Sequence, residues 1–243
     1  MQRTAELQLD CLRQFSELQL GVSTRFDGPM NVVSGNTRRD KAGARNRARF
    51  LKTQGLDDRV CLPRLRHGNK VAVVEEKNWQ QRHEADGFLT KEPGLILTVT
   101  VADCFPVYLH DPVRKVVGLV HAGWRGIVLG VVKETIGNMQ EVFGSCPEDV
   151  SLSIGPGICK EHFTIGGDVL CFFEDWGSLV KKGREKHHVD LAGILAEQAR
   201  LLGVRNIEDC GLCTFCDERF YSSRREQGNP PNVMLAYIGM DSV

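Results

Sequence analysis

Three residues of this sequence, His67, Cys104 and His121, have side-chain types and positions that suit metal chemistry. His67 precedes a Gly-Asn turn, Cys104 interrupts the apolar stretch 95–109, and His121 follows the apolar run 116–120. Strand ends of this kind are where a scaffold presents reactive side chains. Two imidazoles and one thiolate suit zinc and leave a fourth coordination position for water or substrate. The three residues predict an open metal site, although each of them taken alone is more often a packed or surface residue.

The sequence that follows His121 predicts a local anion site. His121 lies between a predicted strand and a predicted helix, and the segment 122–126 contains two glycines. A turn of this type directs backbone N–H groups and the positive end of the helix toward one spot. Such a spot suits an anion such as phosphate.

The composition is that of a globular protein without an overall charge. The 243 residues are 42% hydrophobic, which is enough for a sizeable core, and we predict one domain over residues 1–243. The 31 basic and 31 acidic residues cancel. No overall field therefore favours nucleic acid or an anionic membrane as a partner.

The apolar runs and the cysteines indicate a cytoplasmic location. No apolar segment reaches the length of a membrane span, and the first residues lack the hydrophobic core of a signal peptide. The nine cysteines are an odd number without a regular disulfide framework. We therefore expect reduced thiols in a cytosol.

Helical and strand patterns alternate irregularly, which favours an α/β fold with mixed sheets over a regular series of βαβ units. The segment 224–232 reads as a loop. The predicted helices are 40–55 with Asp40 as its cap, 124–143, and 190–203 with Asp190 as its cap. The predicted strands are 71–74, 95–101, 107–109, 116–120, 150–154 and 233–238.

A second cysteine motif is incomplete. Cys210, Cys213 and Cys216 have the C-x2-C-x2-C spacing of iron–sulfur and zinc sites, but no fourth cysteine follows them. We therefore do not expect a complete second metal centre. The sequence also lacks the glycine-rich dinucleotide and P-loop motifs and the G-x-S-x-G turn. Among the classes of enzyme considered, those that use a metal or a cysteine are the ones still consistent with the sequence.

Ala102-Asp-Cys-Phe-Pro-Val107 followed by His121-Ala-Gly-Trp-Arg-Gly126 closely resembles the central signature of the laccase-domain family, once called polyphenol oxidases and now regarded as purine nucleoside phosphorylases. The similarity covers nearly the whole chain after residue 20. It extends to Gly21-Val-Ser-Thr-Arg25, Met30-Asn-Val32, Asn46, Arg49, His67-Gly68, Ala85-Asp-Gly87, Ile154-Gly-Pro156, Cys213-Thr214, Phe220-Tyr-Ser222 and Arg224-Arg225. Two segments depart from the family pattern: Met30-Asn-Val-Val33 stands where L-N-L-G is usual, and Arg64-Leu-Arg66 replaces the common Gln-Val before the histidine.

The resemblance implies mixed β-sheets packed between helices, and a catalytic, metal-binding site at His67, Cys104 and His121. It implies phosphorolysis of purine nucleosides such as adenosine, inosine and 5′-methylthioadenosine, with phosphate as co-substrate. It also implies deamination of adenosine at the same site, where metal-activated water would attack the purine. Zinc is the expected metal, and we expect that copper also binds in vitro.

We also predict which residues around this cluster contact the substrates. Arg125, with the start of the helix beside it, is expected to hold phosphate; the alternative for Arg125 is a surface or structural ion pair. Asp103 is expected to orient a metal ligand. Weaker candidates for pocket contacts are Asn31, Asn46, Arg49 and Arg225; the alternative for each of them is that it only orders a loop. The expected partners are purine nucleosides and phosphate, without nucleic acid or membrane, and a homodimer is the candidate assembly.

Three other functions stay open at this point. A metal-free cysteine hydrolase or amidase would use Cys104 as nucleophile and a histidine as base. A copper-dependent polyphenol oxidase would need several histidine-rich centres, for which seven histidines are few. A catalytically inactive binding protein would retain the site without turnover.

Overall fold

The computed structural model describes residues 9–31, 37–56, 59–228 and 230–241. Val32 and Val33, where the sequence departs from the family pattern, lie outside the described residues. Within those ranges, no helix is both long enough and apolar enough to cross a bilayer.

The described chain forms seven α-helices and thirteen strands. The helices are α1 (Asp10–Arg13), α2 (Thr37–Thr53), α3 (Trp124–Val128), α4 (Val131–Phe143), α5 (Gly167–Leu170), α6 (Leu191–Leu201) and α7 (Ser223–Glu226). The strands are β1 (Leu18–Val22), β2 (Arg59–Cys61), β3 (Val71–Val73), β4 (Gly87–Thr90), β5 (Leu95–Val101), β6 (Phe105–Asp111), β7 (Val116–Ala122), β8 (Ser151–Ile154), β9 (Thr164–Ile165), β10 (Val180–Lys181), β11 (His187–Val189), β12 (Asn206–Asp209) and β13 (Met234–Met240).

The strands form three sheets, two of which mix parallel and antiparallel pairs. The four-stranded sheet has the order β1-β13-β5-β2, and the six-stranded sheet has the order β12-β8-β6-β7-β4-β3. A small antiparallel sheet has the order β10-β11-β9. In the six-stranded sheet the outer pairs β12·β8 and β3·β4 are parallel and the inner pairs are antiparallel.

Apolar clusters hold the layers together. α2 packs on the outer face of the four-stranded sheet through Phe50 and Leu51. The inner face of that sheet meets the six-stranded sheet in a second cluster, and α4 and α6 cover the opposite face of the six-stranded sheet in a third. The predicted fold class, mixed α/β with mixed sheets packed between helices, is confirmed.

The unbroken apolar run of strand β5 contributes side chains to two hydrophobic cores, one on each face of its sheet. Side chains alternate between the two faces of a strand. Leu95, Leu97 and Val99 therefore join the core between the two large sheets, whereas Ile96 joins the core beneath α2. Each fully buried leucine side chain contributes roughly 1.5–3 kcal/mol relative to its exposed state.

The segment 124–143, predicted to be one helix, forms two helices, so the prediction of a continuous helix is wrong. α3 ends at Val128, and Gly130 has a left-handed backbone with φ 76° immediately before α4. Apolar periodicity continues through the break, because Ile127 and Val131 reach the same core. α4 ends at Phe143, and Gly144 caps it as the predicted stop, with its N–H donating to the carbonyl of Gln140.

The two predicted helix caps have different outcomes. The Asp190 carboxylate accepts the N–H of Gly193 at 2.9 Å, so the predicted cap of α6 is confirmed. Asp40 lies in the first turn of α2, which begins at Thr37, so its prediction as the cap is wrong. The segment predicted to be a loop over 224–232 begins inside the short helix α7.

Candidate active site

The side chains of His67, Cys104 and His121 converge in the folded chain. One ligand-type atom of each lies within 4.8 Å of those of the other two. The two imidazole rings are perpendicular, with centroids 4.7 Å apart and an interplanar angle of 87°. His121 is buried, Cys104 is partly exposed and His67 is exposed, so the cluster is reachable from one side.

Two antiparallel strands place Cys104 beside His121. β6 begins directly after Cys104 and pairs with β7, so that Pro106 lies opposite His121. Cys104 occupies the short passage from β5 to β6, where the chain leaves the four-stranded sheet and enters the six-stranded sheet. The interruption of the apolar stretch at Cys104 therefore marks a change of sheet.

His67 reaches the cluster from a loop and not from a strand end as predicted. It lies between β2 and β3, and β3 begins only at Val71. Its φ of 57° is in the left-handed region, which histidine adopts more readily than most residues but still at a cost. Something must hold this loop in place.

That anchor is Asp86, a fully buried aspartate between the loop and β7. Its carboxylate accepts the backbone N–H groups of Arg66, His67 and Gly68 at 2.8–3.2 Å. The same carboxylate accepts Nδ1–H of His121 at 2.9 Å. Because a carboxylate only accepts, this bond fixes the proton on Nδ1 and leaves Nε2 free to serve as a ligand atom.

The charges of the cluster are mutually stabilising. Burial alone would raise the pKa of the Cys104 thiol, but His121 and His67 lower that pKa to about 6. Burial alone would lower the pKa of His121, but Cys104 and Asp86 raise that pKa to about 9. Without a metal, the site at neutral pH is therefore a thiolate beside an imidazolium.

Gly123 must be glycine because of how closely it approaches the cluster. A Cβ at this position would lie 2.9 Å from Sγ of Cys104 and 3.3 Å from Cδ2 of His67. Gly126 is constrained in the same way, since its Cβ would lie 2.8 Å from the carbonyl oxygen of Gly68. Both glycines after His121 allow close packing around the cluster.

The cluster opens into a cavity of about 850 Å³, a volume that suits a small-molecule ligand. The cavity wall is basic: its described residues include four arginines, at 64, 82, 125 and 224, and a single carboxylate, Asp103. Arg125 is exposed, and its guanidinium lies 4.3 Å from the ring centroid of Trp124. Within the described ranges Arg125 pairs with no carboxylate, which leaves its charge available for an anion.

Asn31 also lines the cavity. Its Nδ2–H donates to the carbonyl of Pro231 at 2.8 Å. Its Oδ1 is buried and has no hydrogen-bond partner among the residues that the structure describes. A buried acceptor without a partner is costly, and a ligand N–H would satisfy it.

Three predicted pocket residues do not line the cavity. The Asn46 amide donates to the carbonyl of Pro29, and the Arg49 guanidinium donates to the carbonyl of Asp27. The Arg225 guanidinium donates to the carbonyls of residues 214, 215 and 220. Each of the three orders a neighbouring loop.

Asp103 lines the cavity, but its carboxylate points to another loop. It accepts the hydroxyl of Thr214 and the backbone N–H of Arg224, both at 2.7 Å. Its φ is 84°. The orienting contact that we expected from Asp103 is made by Asp86, which lies in the segment Ala85-Asp-Gly87.

Comparison with known sequences places the chain in one group. A family model described as multi-copper polyphenol oxidoreductase laccase matches residues 13–241. A Deinococcus radiodurans protein named purine nucleoside phosphorylase is 34% identical over 201 residues, which are 81% of this chain and 77% of that protein. A Bacteroides thetaiotaomicron protein of the same name is 30% identical over 241 residues, with 89% of each chain covered.

Solved structures share the fold. The crystal structure of YlmD from Geobacillus stearothermophilus superimposes with a TM-score of 0.86 and 26% identity, covering 94% of this chain and 93% of that chain. The Bacillus licheniformis hypothetical protein YfiH also gives a TM-score of 0.86, at 24% identity and with 95% of each chain covered.

Replacing Asp86 by asparagine should weaken metal binding at the cluster. An asparagine oxygen cannot accept all four donors, and its NH2 group would oppose one of them. We expect the zinc affinity to fall roughly 10–100-fold, as measured by competition with a chromophoric chelator. The control is Glu84→Gln, which removes an exposed carboxylate two residues away that pairs with Arg64 and Arg66. Equal zinc affinities for the wild type and Asp86→Asn would contradict this assignment.

The lowered pKa of Cys104 predicts its reactivity in metal-free protein. Thiolate is the reactive form, so alkylation of Cys104 by iodoacetamide should rise with a midpoint near pH 6 and be slow below it. His121→Gln should move the midpoint upward, because the charge and hydrogen bond that favour the thiolate are lost. Peptide mass spectrometry after timed quenching gives the rates, with exposed Cys146 as an internal reference. An unchanged midpoint in His121→Gln would refute the ion-pair description.

Proposed function

The chain belongs to the family described as multi-copper polyphenol oxidoreductase laccase, and from that premise we propose that it is a purine nucleoside phosphorylase. Relatives that are 30–34% identical carry this name. The observation that carries the proposal is the position of Arg125. It lines the same cavity as His67, Cys104 and His121 and has no carboxylate partner within the described chain.

The reaction needs an anion site beside a purine site. A phosphate oxygen attacks the anomeric carbon of the ribose, the bond from that carbon to the purine nitrogen breaks, and the departing purine takes up a proton. Arg125 would hold the phosphate through charge-assisted hydrogen bonds. α3 has only five residues, so the helix end that we predicted as an anion site adds little to this field.

The purine would bind on the side of Asn31. The buried Oδ1 of Asn31 would accept an N–H of the base, which removes the cost of leaving this acceptor without a partner. Adenosine, inosine and 5′-methylthioadenosine share the purine ring and the ribose, and the cavity volume accommodates each of them.

The donor set fits a single zinc ion. His67, Cys104 and His121 would hold it, and zinc would supply Lewis-acid activation of water, which hydrolytic deamination of adenosine requires. Before zinc binds, Cys104 and His121 form the thiolate–imidazolium pair, so binding would displace a proton from Nε2 of His121. Asp86 would keep the remaining proton on Nδ1.

The residues do not fit a set of copper centres. Outside this cluster, the described chain brings together one further group of ligand-type side chains, which contains a single histidine. A multi-copper oxidase needs several histidine-rich centres. Copper would therefore bind in vitro at one isolated position, without neighbouring metals to reduce oxygen.

One observation favours a second candidate function. The pKa of Cys104 near 6 and the adjacent imidazoles are also what a metal-free cysteine hydrolase or amidase requires. The cavity with its four arginines favours phosphate as the nucleophile instead.

The proposal also covers the cellular location, the domain organisation and the assembly of the protein. All nine cysteines are free thiols, which suits the reducing cytoplasm. We also propose that residues 1–243 act as one domain, that the partners are purine nucleosides and phosphate, and that copies of the chain pair as a homodimer.

Incubation with inosine should release hypoxanthine and ribose 1-phosphate only when phosphate is present. Chromatography of the base and an assay for the sugar phosphate give the two products. Adenosine separates the activities: adenine should form only with phosphate, whereas inosine should form without it if deamination occurs. Cys104→Ala should abolish both reactions, and Cys146→Ala, at an exposed position away from the cavity, should abolish neither. Release of free ribose at the same rate without phosphate would show a hydrolase.

Arg125→Ala should impair the use of phosphate more than that of nucleoside. A hydrogen bond to a charged group is worth roughly 1.5–3 kcal/mol, so KM for phosphate should rise about tenfold or more. KM for inosine should change much less, since Arg125 is assigned to the anion alone. Arg205→Ala, which removes an exposed arginine paired with Glu148, is the control. Equal increases in both KM values would remove Arg125 from the phosphate site.

A further inference from the structure

A second group of ligand-type side chains lies outside the candidate active site. Cys159, His162, Cys213 and Cys216 each offer one ligand atom, and these atoms all lie within 4.8 Å of one another. Nδ1 of His162 lies 3.1 Å from Sγ of Cys159 and 3.4 Å from Sγ of Cys216. We name these four residues the Cys3His cluster.

The topology of the six-stranded sheet brings the two halves of the cluster together. β8 and β12 are parallel neighbours, so the segments that follow them leave the same edge of the sheet. Cys159 and His162 follow β8, and Cys213 and Cys216 follow β12. The pairing continues beyond the strands as an isolated bridge between Gly157 and Cys213. Two residues lie between the two ligands of each half, a spacing that is common among zinc ligands.

We propose that the Cys3His cluster binds a structural zinc ion. Three thiolates and one imidazole make up a closed set of four ligands, which is the composition of structural zinc sites and leaves no position for substrate. The candidate active site differs in this respect, because its three ligands leave one position open. The two clusters therefore divide into one closed and one open site.

Contacts around the Cys3His cluster orient its ligands. The backbone N–H of Cys159 donates to Sγ of Cys213 at 3.3 Å. The His162 ring stacks on Phe215, with centroids 4.1 Å apart and an interplanar angle of 19°. Such surrounding contacts fix ligand geometry before a metal binds and raise metal affinity.

The zinc ion would hold one wall of the active-site cavity. The N–H of Ile158, which precedes Cys159, donates to the carbonyl of Asp103 at 3.0 Å. The hydroxyl of Thr214, which follows Cys213, donates to the carboxylate of Asp103 at 2.7 Å. Both zinc-binding segments are thus bonded to the residue next to Cys104, and Ile158 lines the cavity itself.

The sequence provides no reason to expect a complete second metal centre when a fourth ligand is considered only among the residues after Cys216. The missing ligands come from Cys159 and His162, more than fifty positions before Cys213 in the chain, and not from a later cysteine. Cys210, the first residue of the C-x2-C-x2-C motif, is no part of the group. It packs against the core between the two large sheets.

Metal content separates this site from the active site. The double variant His67→Ala/Cys104→Ala lacks the open site, and purified without chelators it should contain about one zinc per chain by elemental analysis. Adding Cys216→Ser should remove almost all of that zinc. Adding Cys146→Ser, which alters another exposed free cysteine, should leave the zinc content unchanged. These measurements do not depend on enzymatic activity, so their outcome tests the zinc site independently of the proposed function.

X-ray absorption by the zinc of the double variant tests the ligands without a further mutation. It should show three sulfur atoms at roughly 2.3 Å and one nitrogen at roughly 2.0–2.1 Å. A double variant that contains no zinc, or a zinc shell without sulfur, would overturn the proposal. A disulfide between Cys159 and Cys213 in freshly purified protein, detected by non-reducing peptide mass spectrometry, would also overturn it.

Discussion

The carboxylate of Asp86 is the constraint on which the candidate active site depends. Asp86 is fully buried, and its carboxylate accepts three consecutive backbone N–H groups of the His67 loop and the Nδ1–H of buried His121. A charged acceptor in a buried setting forms stronger hydrogen bonds than one in water. One side chain therefore fixes the position of one ligand-bearing loop and the tautomer of a ligand on β7. The placement of both imidazoles beside Cys104 depends on it.

The site also lies where the chain passes from the four-stranded sheet into the six-stranded sheet. Cys104 occupies the passage from β5 to β6, and Asp103 beside it is bonded to the segments that carry the Cys3His cluster. Reactive groups at such a junction are supported from two hydrophobic cores at once. The cavity can then remain open on one side while its opposite walls stay fixed, which is what an enzyme with a preorganised site requires.

Local patterns predicted the parts of this structure that depend on local physics. The alternation and apolar runs of β5 and β7, the cap at Asp190 and the end of α4 before Gly144 are each set by neighbouring residues. Asp86 was missed because an aspartate before a glycine reads as a turn residue, whereas its function is set by a loop twenty positions earlier. The break at Gly130 was hidden by an apolar periodicity that continues through it. The spacing of Cys213 and Cys216 indicates only one half of the Cys3His cluster, because two parallel strands, and no sequence spacing, join that half to Cys159 and His162.

The backbone on either side of the cluster adopts conformations that glycine would adopt without strain. His67 has φ 57° and Asp103 has φ 84°, and each non-glycine residue in this region costs on the order of 1–3 kcal/mol. Glycine would relieve this strain at both positions, but at position 103 it would also remove the carboxylate that Thr214 and Arg224 donate to. Histidine and aspartate supply a ligand-type ring and a loop contact that glycine could not. In the candidate active site, backbone strain therefore accompanies the side chains that form it, and a substitution chosen to relieve that strain would also remove one of those side chains.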